Sequence, residues 1–412
     1  MKLNKCILTD LGSVNRGKSK HRPRNDESLF GGEYPFIQTG EVKSANFYLN
    51  TFSETYNKKG LAQSKLWKKG TLLITIAANI AETAILDIEA CFPDSIIGFI
   101  PYENKSDVKF VKYYLDYIKR KLQIISQGTT QDNMSVEKLT SMPLFVPDYN
   151  IQVKIGKLLS NYDDLIENNN KRIKLLEQTA EELFKEWFVR LRFPNYQNTE
   201  IEDGIPQGWK EKTINKLCEV TSSKRIFSSE YIEKGIPFFR GKEITLKSNN
   251  KSIDDILYIK QEKYEEIKKS FGIPKEKDIL LTAVGTIGSI YSVKKSDDEF
   301  YFKDGNLIWL KNFNNEVEYF IYYFMKSEEI QNKLKNISIG SSQKALTIDS
   351  IKKITVIVPT NDIIILFNKL IEPILKEIEL LQQKNQTLKQ TRDLLLPRLI
   401  SGKLDIEKLD IN

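Results

Sequence analysis

The stretch "GSVNRGKS", Gly12 to Ser19, has the glycine and lysine spacing of a loop that holds phosphates. Such a loop works only where a strand leads into it and a helix follows, because the helix N-terminus and the backbone amides hold the phosphates. Here the following residues are polar, include Pro23 and show no helical period. We therefore predict no nucleotide binding at this loop, and we interpret Lys18 as part of a basic arm.

Other residue patterns that could carry catalysis are missing from the sequence. His21 is the only histidine, so there is little material for a general-base triad or a clustered metal site. Cys6, Cys91 and Cys218 are widely separated, which gives no disulfide framework, and we interpret them as core residues. No two prolines are adjacent, which excludes the Asn/Asp-Pro-Pro-aromatic motif of amino-methyltransferases, and no Gly-x-Gly-x-x-Gly motif occurs. We predict neither catalytic residues nor a metal site.

Length, composition and charge restrict the class of protein. A chain of 412 residues, 40% of them hydrophobic, can bury two or three ordinary cores, so we expect more than one domain. The formal net charge of +7 favours a polyanionic partner only weakly. The sequence has no apolar run of about 18 residues, and its start lacks an apolar segment with a small-residue cleavage site. We expect a cytoplasmic protein without a membrane partner.

The sequence contains one internal repeat. Three pairs of segments match at offsets that only increase along the chain: "YPFIQTGEV" with "IPFFRGKEI" (34 to 236, offset 202), "GTLLIT" with "DILLTA" (70 to 278, offset 208) and "GTTQ" with "GSSQ" (128 to 340, offset 212). Chance matches would scatter, whereas loop insertions in one copy of a duplicated domain produce a steady increase. The repeat therefore predicts two domains of the same fold.

The predicted helices and strands follow the same order in both copies of the repeat. Short β-rich segments precede an amphipathic helix, a polar loop, a short strand and finally a long helix with apolar residues at coiled-coil spacing. The predicted seam of the long helices contains Ile166, Ile173, Leu176, Ala180, Leu183 and Trp187 in the first copy, and Ile374, Ile378, Leu381, Leu388, Thr391 and Leu395 in the second. Roughly 35 residues at about 1.5 Å each form a rod of about 50 Å. We expect the two rods to pair in antiparallel fashion, with a globular part at either end and a pseudo-twofold axis between the copies.

Two residues of the second long helix interrupt its pattern. Asn385 occupies the position that corresponds to Ile173. It either specifies the register of the pair or lies at a solvated edge, and we favour the edge. Pro373 lacks a backbone donor, so we expect the helix to bend or restart there.

Four segments carry a family resemblance, and together they span most of the chain. They are "YPFIQTGEV" (34–42), "ELFKEWF" (182–188), "IPQGW" (205–209) and "LLLPRLISGKLDI" (394–406). With the internal repeat, they make the chain resemble the specificity subunit of type I restriction-modification systems.

The resemblance implies a non-enzymatic, DNA-reading α+β protein. It has two tandem α/β target recognition domains separated by two long antiparallel spacer helices, and each domain reads one half of a bipartite, asymmetric DNA sequence. The implied boundaries are 1–150 for the first recognition domain, 151–190 for the first spacer helix, 191–208 for a linker, 209–360 for the second recognition domain and 361–412 for the second spacer helix and tail.

Partners follow from the same resemblance. It implies double-stranded DNA, two methyltransferase subunits and two restriction-translocase subunits. S-adenosylmethionine, ATP and Mg²⁺ would be bound by those subunits, and none of them by this chain. The segment 394–406 would pack beside the first long helix and its "FKEWF" end.

Candidate DNA-binding residues lie in loops that correspond between the copies. Base edges are read by paired donors and acceptors, while lysines and hydroxyls hold phosphates. The candidates are Lys18, Gln38, Thr39, Lys43, Asn79, Thr129, Thr130, Gln131 and Asn133 in the first copy, and Arg240, Lys242, Lys247, Thr286, Ser341, Ser342, Gln343 and Lys344 in the second. Gln131 and Gln343 are the preferred pair.

Three alternatives stay open for these loops. Arg240 could fork onto a guanine or be a structural arginine. The stretch that contains Gln131 could only cap the next segment with hydroxyls. The second copy has Gly285 and Gly288, which permit close approach of the backbone, whereas "TIAANIAET" of the first copy lacks both glycines, so its contact with DNA is open.

Two other classes of protein compete with this interpretation. A self-contained nuclease or DNA methyltransferase with diverged motifs is disfavoured, because the methyl-donor loop and the paired prolines are missing. A structural coiled-coil dimeriser would show no salt-sensitive binding to DNA, whereas phosphate contacts weaken steeply as salt increases.

Overall fold

A computed structural model describes residues 1–127, 134–251, 253, 255–338 and 345–408. The chain forms two compact units. Unit 1 comprises Met1–Asn170 and Gln383–Asn412, and unit 2 comprises Lys171–Gln382. Both boundaries fall within the long helices, so each long helix contributes one part to each unit.

In its described residues, unit 1 combines nine short strands with helices. Its strands are β1 (Asn4–Cys6), β2 (Gly12–Arg16), β3 (Phe30–Phe36), β4 (Tyr48–Leu49), β5 (Glu54–Tyr56), β6 (Leu72–Thr75), β7 (Thr83–Leu86), β8 (Ile96–Pro101) and β9 (Leu144–Val146). Its helices are α1 (Leu8–Leu11), α2 (Thr39–Ser44), α3 (Lys58–Gln63), α4 (Val108–Gln127), α5 (Val136–Ser141) and the first part of α6 (Tyr149–Phe184).

Unit 2 repeats this order with more strands. Its strands are β10 (Ile201–Glu202), β11 (Ile205–Pro206), β12 (Lys210–Thr213), β13 (Glu219–Thr221), β14 (Tyr231–Ile232), β15 (Ile236–Phe239), β16 (Leu257–Ile259), β17 (Ile279–Thr282), β18 (Ile290–Ser292), β19 (Tyr301–Phe302), β20 (Leu307–Lys311) and β21 (Thr355–Val358). Its further helices are α7 (Gly241–Ser248), α8 (Gln261–Ser270), α9 (Glu318–Lys326), α10 (Glu328–Ile337), α11 (Ile348–Lys352) and the first part of α12 (Asn361–Ile400). Short 3₁₀ turns lie at Glu27–Leu29, Tyr196–Asn198, Ile214–Lys216, Ser228–Glu230 and Ile406–Lys408, and a π-helical turn, Lys185–Val189, continues α6.

The central sheet of unit 1 has the strand order β2-β8-β6-β7-β4. Successive side chains of a strand point to opposite faces, and here both faces are covered. Leu72 and Ile74 of β6 pack with α4 and with the long helices, whereas Leu73 packs with Trp67 on the other face. This double burial explains why Leu72, Leu73 and Ile74 of β6 are all apolar rather than alternating with polar residues.

Unit 2 has a corresponding sheet with the order β13-β20-β17-β18. Ile279 and Leu281 of β17 face the helices, and Leu280 faces the second core together with Trp309. A second sheet, β14-β16-β15-β19, packs through Phe238 and Tyr301. The two units thus share one arrangement of a sheet with helices on one face, as the repeat predicts.

The long helices pair in antiparallel fashion within each unit. In unit 1, Asp163 accepts a hydrogen bond from Arg392, and Asn169 Nδ2 donates to Asn385 Oδ1 over 2.8 Å. In unit 2, Arg172 and Glu377 approach to 2.9 Å, and the ring centroids of Phe184 and Phe367 are 6.3 Å apart. Residue numbers fall on α12 as they rise on α6, so the predicted antiparallel pairing is confirmed in both units.

Most residues predicted for the helix seam lie in apolar contacts. Those that are buried are Ile166, Ile173, Ala180, Trp187, Ile378 and Leu381. Those packed at the edge of an apolar cluster are Leu176, Leu183, Ile374 and Leu395, while Leu388 and Thr391 are half-buried.

Three expectations about the second long helix need correction. Asn385 is buried, with 7% of its surface exposed, rather than at a solvated edge, because it donates to Asn170 as well as accepting from Asn169. The helix does not restart at Pro373, since α12 is continuous from Asn361 to Ile400. One backbone donor is missing there, and the helix continues, with Ile371 before Pro373 and Ile378 after it both buried.

The third correction concerns the end of the chain. Leu399, Ile400 and Ile406 join the core of unit 1 with Ile155 and Leu159, near the start of α6. They therefore pack beside the first long helix, as the resemblance implies, but at its start; Phe184 and Trp187 of "FKEWF" belong to the core of unit 2. An antiparallel pair brings the end of one helix to the start of the other, which accounts for this placement. None of the described helices is long and apolar enough to cross a membrane.

Candidate nucleic-acid interface

Several predicted residues of unit 1 converge at one end of its central sheet. Arg16, the last residue of β2, is paired with Ile97 of β8, and Ile96 is paired with Thr75, the last residue of β6. The chain therefore leaves β2 and β6 at the same end of the sheet, two strand spacings or about 10 Å apart. Lys18 follows β2 and Asn79 follows β6, so both lie at this end.

The corresponding sheet end of unit 2 has the same geometry. Thr221 of β13 is paired with Trp309, and Thr282 of β17 is paired with Leu307. The segment after β13 and the loop after β17 therefore leave the sheet together. Thr286 lies in that loop and is exposed.

A threonine organises the loop after β6 and the loop after β17. Thr75 Oγ1 donates to the carbonyl oxygen of Asn79 and accepts from the Glu82 N–H at 3.0 Å. Thr282 Oγ1 donates to the carbonyl oxygen of Thr286 and accepts from the Ser289 N–H at 2.9 Å. Thr75 thus corresponds to Thr282, an offset of 207 (282 minus 75). The offset of 208 predicted for this strand is wrong by one residue, because matching apolar letters does not register hydrogen bonds.

The loop of the first copy keeps the conformation of the second without its glycines. Gly285 and Gly288 have φ angles of 76° and 91°, and the corresponding Ala78 and Ala81 have φ angles of 61° and 62°. This left-handed region costs an alanine roughly 1–2 kcal/mol. The Thr75 hydrogen bonds hold the loop in this strained conformation. Asn79 therefore occupies the position in unit 1 that Thr286 occupies in unit 2.

A short helix lies beside each loop. The Gln38 N–H donates to Glu41 at the start of α2 over 3.1 Å, and the Arg240 N–H donates to Glu243 at the start of α7 over 2.7 Å. Lys43 Nζ of α2 lies 3.3 Å from Asn79 Oδ1. Thus three separate segments of unit 1 place candidate residues at the sheet end.

In unit 2, α7 reaches the corresponding loop through different side chains. Thr245 Oγ1 lies 3.2 Å from Ser289 Oγ. A Cβ atom on Gly241 would lie 3.7 Å from the carbonyl oxygen of Val284. Lys242 is exposed beside these contacts.

Some candidate side chains already have partners within the protein. Arg240 forks onto Glu243 through contacts of 2.7 and 3.1 Å. Burial opposes ionisation of Glu243, but the Arg240 hydrogen bonds outweigh it, so the pKa of Glu243 is lowered. Gln38 Nε2 donates to Glu54 over 2.8 Å. These contacts favour the structural alternative for Arg240 while leaving the half-buried Thr39 available.

Lys247 lies in an interior setting. Its ammonium is 2.7 Å from Asp297, and its side chain is 20% exposed beside the rings of Phe239 and Tyr291. A phosphate contact would require this ion pair to open.

The remaining candidates lie outside the described residues. They are Thr129, Thr130, Gln131, Asn133, Ser341, Ser342, Gln343 and Lys344. Met134 and Leu346 lie just after the two ranges that contain these candidates. Both are at the sheet end, because Met134 N donates to Ile76 O and Leu346 N donates to Ala283 O, each at 2.9 Å. Within the described ranges, no three His, Cys, Asp or Glu side chains are grouped so that they could hold a metal ion.

Comparison with known proteins gives one consistent family. The sequence model described as "Type I restriction modification DNA specificity domain" matches residues 4–178 and again residues 206–390. The chain is 28% identical over 416 residues to the specificity subunit of the type I restriction enzyme MjaIX of Methanocaldococcus jannaschii, covering 98% of this chain and 93% of that one. It is 22% identical to the HindI specificity subunit of Haemophilus influenzae, covering 96% and 98%.

A solved structure supports the fold. The crystal structure of a type I restriction-modification S subunit from M. genitalium aligns with a TM-score of 0.60 at 18% identity, and the alignment covers 97% of this chain and 96% of that one. At this identity the likeness concerns the fold alone.

Proposed function

The chain belongs to the family of type I restriction-modification DNA specificity domains, and we propose that it is the specificity subunit of such a complex, with one sheet end in each unit reading one half of a bipartite DNA target. The single observation that carries this proposal is the shared loop frame. Thr75 and Thr282 make the same hydrogen bonds, yet the loops present Asn79 and Thr286.

Different side chains on one frame support two different half-sites. An asparagine offers a donor and an acceptor that match adenine, whereas a threonine offers a hydroxyl and a methyl group. The neighbouring helices differ as well, since Lys43 of α2 contacts its loop where Thr245 of α7 does so in unit 2. We therefore infer an asymmetric target, with each half read by its own unit.

The chemistry belongs to partner subunits in this proposal. Two methyltransferase subunits would bind S-adenosylmethionine, and two restriction-translocase subunits would bind ATP and Mg²⁺. This chain would bind none of these cofactors and would select the DNA in the cytoplasm. The names of the two relatives described above, both specificity subunits, support this division of labour.

A methyl-transfer assay tests the division of labour. The purified full chain is incubated with duplex DNA and labelled S-adenosylmethionine, first alone and then with the methyltransferase subunits. We expect transfer only in the second mixture. Transfer by the chain alone would show that it is an enzyme.

A further inference from the structure

We propose that the segment Arg16 to Arg24, which we call the basic arm, binds the phosphodiester backbone of duplex DNA beside the half-site read by unit 1. This inference rests on the proposed function and adds an electrostatic difference between the two units. The arm supplies the sequence-independent part of DNA binding, whereas the loop that carries Asn79 supplies base selection.

The basic arm carries a cation at every second position. Its cations are Arg16, Lys18, Lys20, Arg22 and Arg24. Between the first three, Gly17 and Ser19 are buried, whereas Arg16 and Lys20 are exposed and Lys18 is half-buried. A Cβ atom on Gly17 would lie 2.3 Å from the carbonyl oxygen of Pro93, so this face of the arm is pressed against the protein. The cations therefore project from the opposite face.

The backbone of the basic arm is held in place along its length. Gly17 N donates to Ile96 O at 2.8 Å, and Lys18 N donates to Phe92 O at 3.0 Å. Gln63 Oε1 accepts from the Lys20 N–H at 2.6 Å and from the His21 N–H at 3.0 Å. A chain that is already ordered loses little conformational entropy on binding, so the arm is suited to hold a ligand.

Three of the five cations have no carboxylate partner within the described part of the chain. Arg22 and Arg24 share Asp94, at 3.8 and 2.6 Å. Among the residues that the structure describes, no carboxylate lies within 4.0 Å of Arg16, Lys18 or Lys20. These three cations lie at the end of the sheet where Asn79 lies, with Arg16 and Lys20 exposed and Lys18 half-buried. A polyanion is the partner that fits them, and the neighbouring base-reading loop makes that partner DNA.

Unit 2 has a much weaker counterpart. After β13, the corresponding segment carries Lys224 and Arg225. Arg225 pairs with Asp304 at 2.9 Å, and Lys224 Nζ lies 4.6 Å from the centre of the Phe271 ring. Both side chains are exposed but contact groups of the protein, and the segment carries two cations where the basic arm carries five, so we expect unit 1 to provide the larger part of the salt-sensitive binding.

The test uses the full chain and the salt dependence of its binding to a fluorescein-labelled duplex. The arm variant combines Arg16→Gln, Lys18→Gln and Lys20→Gln. Each lost phosphate contact reduces the slope of log K against log salt by about 0.9, so three lower it by about 2.7. From about 50 to about 200 mM NaCl, the wild-type chain should lose roughly 40-fold more affinity than the arm variant.

A matched control changes the same charge at the opposite end of the sheet. Lys5 precedes β2 and Lys105 follows β8, and the pairing of Gly12 with Pro101 places these strand ends together, away from Arg16. The control variant Lys2→Gln, Lys5→Gln, Lys105→Gln should change the slope by less than about 0.9, the value expected for one phosphate contact. A charge-conserving variant, Arg16→Lys, Lys18→Arg, Lys20→Arg, should keep the wild-type slope.

The outcomes separate the arm from the proposed function. A smaller slope in the arm variant alone, with unchanged base preference, supports the arm. An unchanged slope in the arm variant, or an equal loss in the control variant, overturns it while the proposed function stands. If the wild-type chain shows no salt-sensitive binding, the proposed function fails first and the arm with it.

Discussion

At four pairs of corresponding positions in the long helices, the contacts between the helices are polar in unit 1 and apolar in unit 2. In unit 1, Asp163 meets Arg392, and Asn385 meets Asn169 and Asn170. At an offset of 212, the corresponding residues of unit 2 are Leu375 for Asp163, Ala180 for Arg392, Leu381 for Asn169 and Ile173 for Asn385. Ile173, Leu375, Ile378 and Leu381 form an apolar cluster there. Duplication has kept the packing positions and changed the kind of contact.

This difference teaches which helices can pair. A buried polar side chain is stable only against a partner that satisfies it. If two copies of α6 paired with each other in the same register, Asp163 would face Ala180 and Asn169 would face Ile173. The polar residues would then be buried without partners. The contacts thus favour pairing of α6 with α12 over dimerisation through α6, which argues against the coiled-coil dimeriser.

The largest effect is expected from breaking the buried ion pair of unit 1. Arg392→Leu leaves the Asp163 carboxylate, whose side chain is 3% exposed, without its cation. The free energy of unfolding should fall by about 3–5 kcal/mol. Urea unfolding measures this free energy, and hydrogen exchange of peptides from α6 shows whether the loss lies in the helix pair.

The control for this variant removes the whole polar group. Tyr113 also donates to Asp163, so the control combines Asp163→Leu, Arg392→Ala and Tyr113→Phe. It should recover most of the lost stability, because no buried polar group is left unpaired. A loss of less than about 1 kcal/mol in Arg392→Leu would contradict the role given to the ion pair.

A smaller effect is expected when the stability losses at two corresponding positions, Leu381 and Asn169, are compared. Leu381→Ala removes a side chain that is 1% exposed and should cost about 3 kcal/mol. Asn169→Ala removes a half-buried hydrogen bond and should cost about 1 kcal/mol. Thermal denaturation of the two variants compares the halves directly. Equal losses would mean that the two halves do not differ in the way described.

The two sheets also differ in a titratable group. Burial raises the pKa of Asp278 in unit 2 to about 6, although the Lys275 N–H and Trp309 Nε1 donate to it. Thr71 occupies the same position in unit 1, since each residue ends the same kind of turn, with its N–H donating to the carbonyl oxygen three residues earlier, and immediately precedes the strand. Because the folded pKa lies above the ordinary value of 3.8, the folded state favours the protonated carboxyl.

The contribution of Asp278 to the stability of unit 2 should therefore be largest below about pH 4 and should be lost as the pH rises through about 6, a change of roughly 3 kcal/mol. Asp278→Thr should remove this slope. Urea unfolding at a series of pH values, followed by tryptophan fluorescence, measures it. An unchanged slope in Asp278→Thr would show that another group is responsible.

The smallest effect is expected at the surface of the helix pair. Arg172 and Glu377 lie 2.9 Å apart, but their side chains are 54% and 38% exposed. Solvent and salt screen such a pair, so Arg172→Ala should change the free energy of unfolding by about 0.5 kcal/mol or less. A cost similar to that of Arg392→Leu would remove the distinction between buried and exposed pairs.

The repeat, the strands and the long helices could be predicted because their signals are local. Apolar spacing along α6 and α12 reports one buried face whatever lies opposite it. The burial of Asn385 could not be predicted in this way, because its partner Asn169 lies on the other helix, 216 residues away. The position of the end of the chain could not be predicted for a similar reason, since it depends on the direction in which the two long helices pair.

The candidate site was predictable at the level of segments and less so at the level of side chains. Lys18, Lys43 and Asn79 were each predicted from their loops, and the register of the sheet brings these loops together. The cations on either side of Lys18 were missed individually, although their regular alternation in the sequence is the signal that would have identified them. The partners of Arg240 and Lys247 depend on Glu243 and Asp297, which a loop pattern does not reveal.

Selection from a randomised duplex library tests the central claim most directly. The full chain, mixed with the methyltransferase subunits of the proposed complex, is compared with Asn79→Ala and with Thr286→Ala, and the bound duplexes are sequenced. Two clusters of preferred bases, separated by a constant number of unread base pairs, are predicted, and each variant should change a different cluster. A single continuous cluster, or a change in both clusters from one variant, would contradict two independent reading sites.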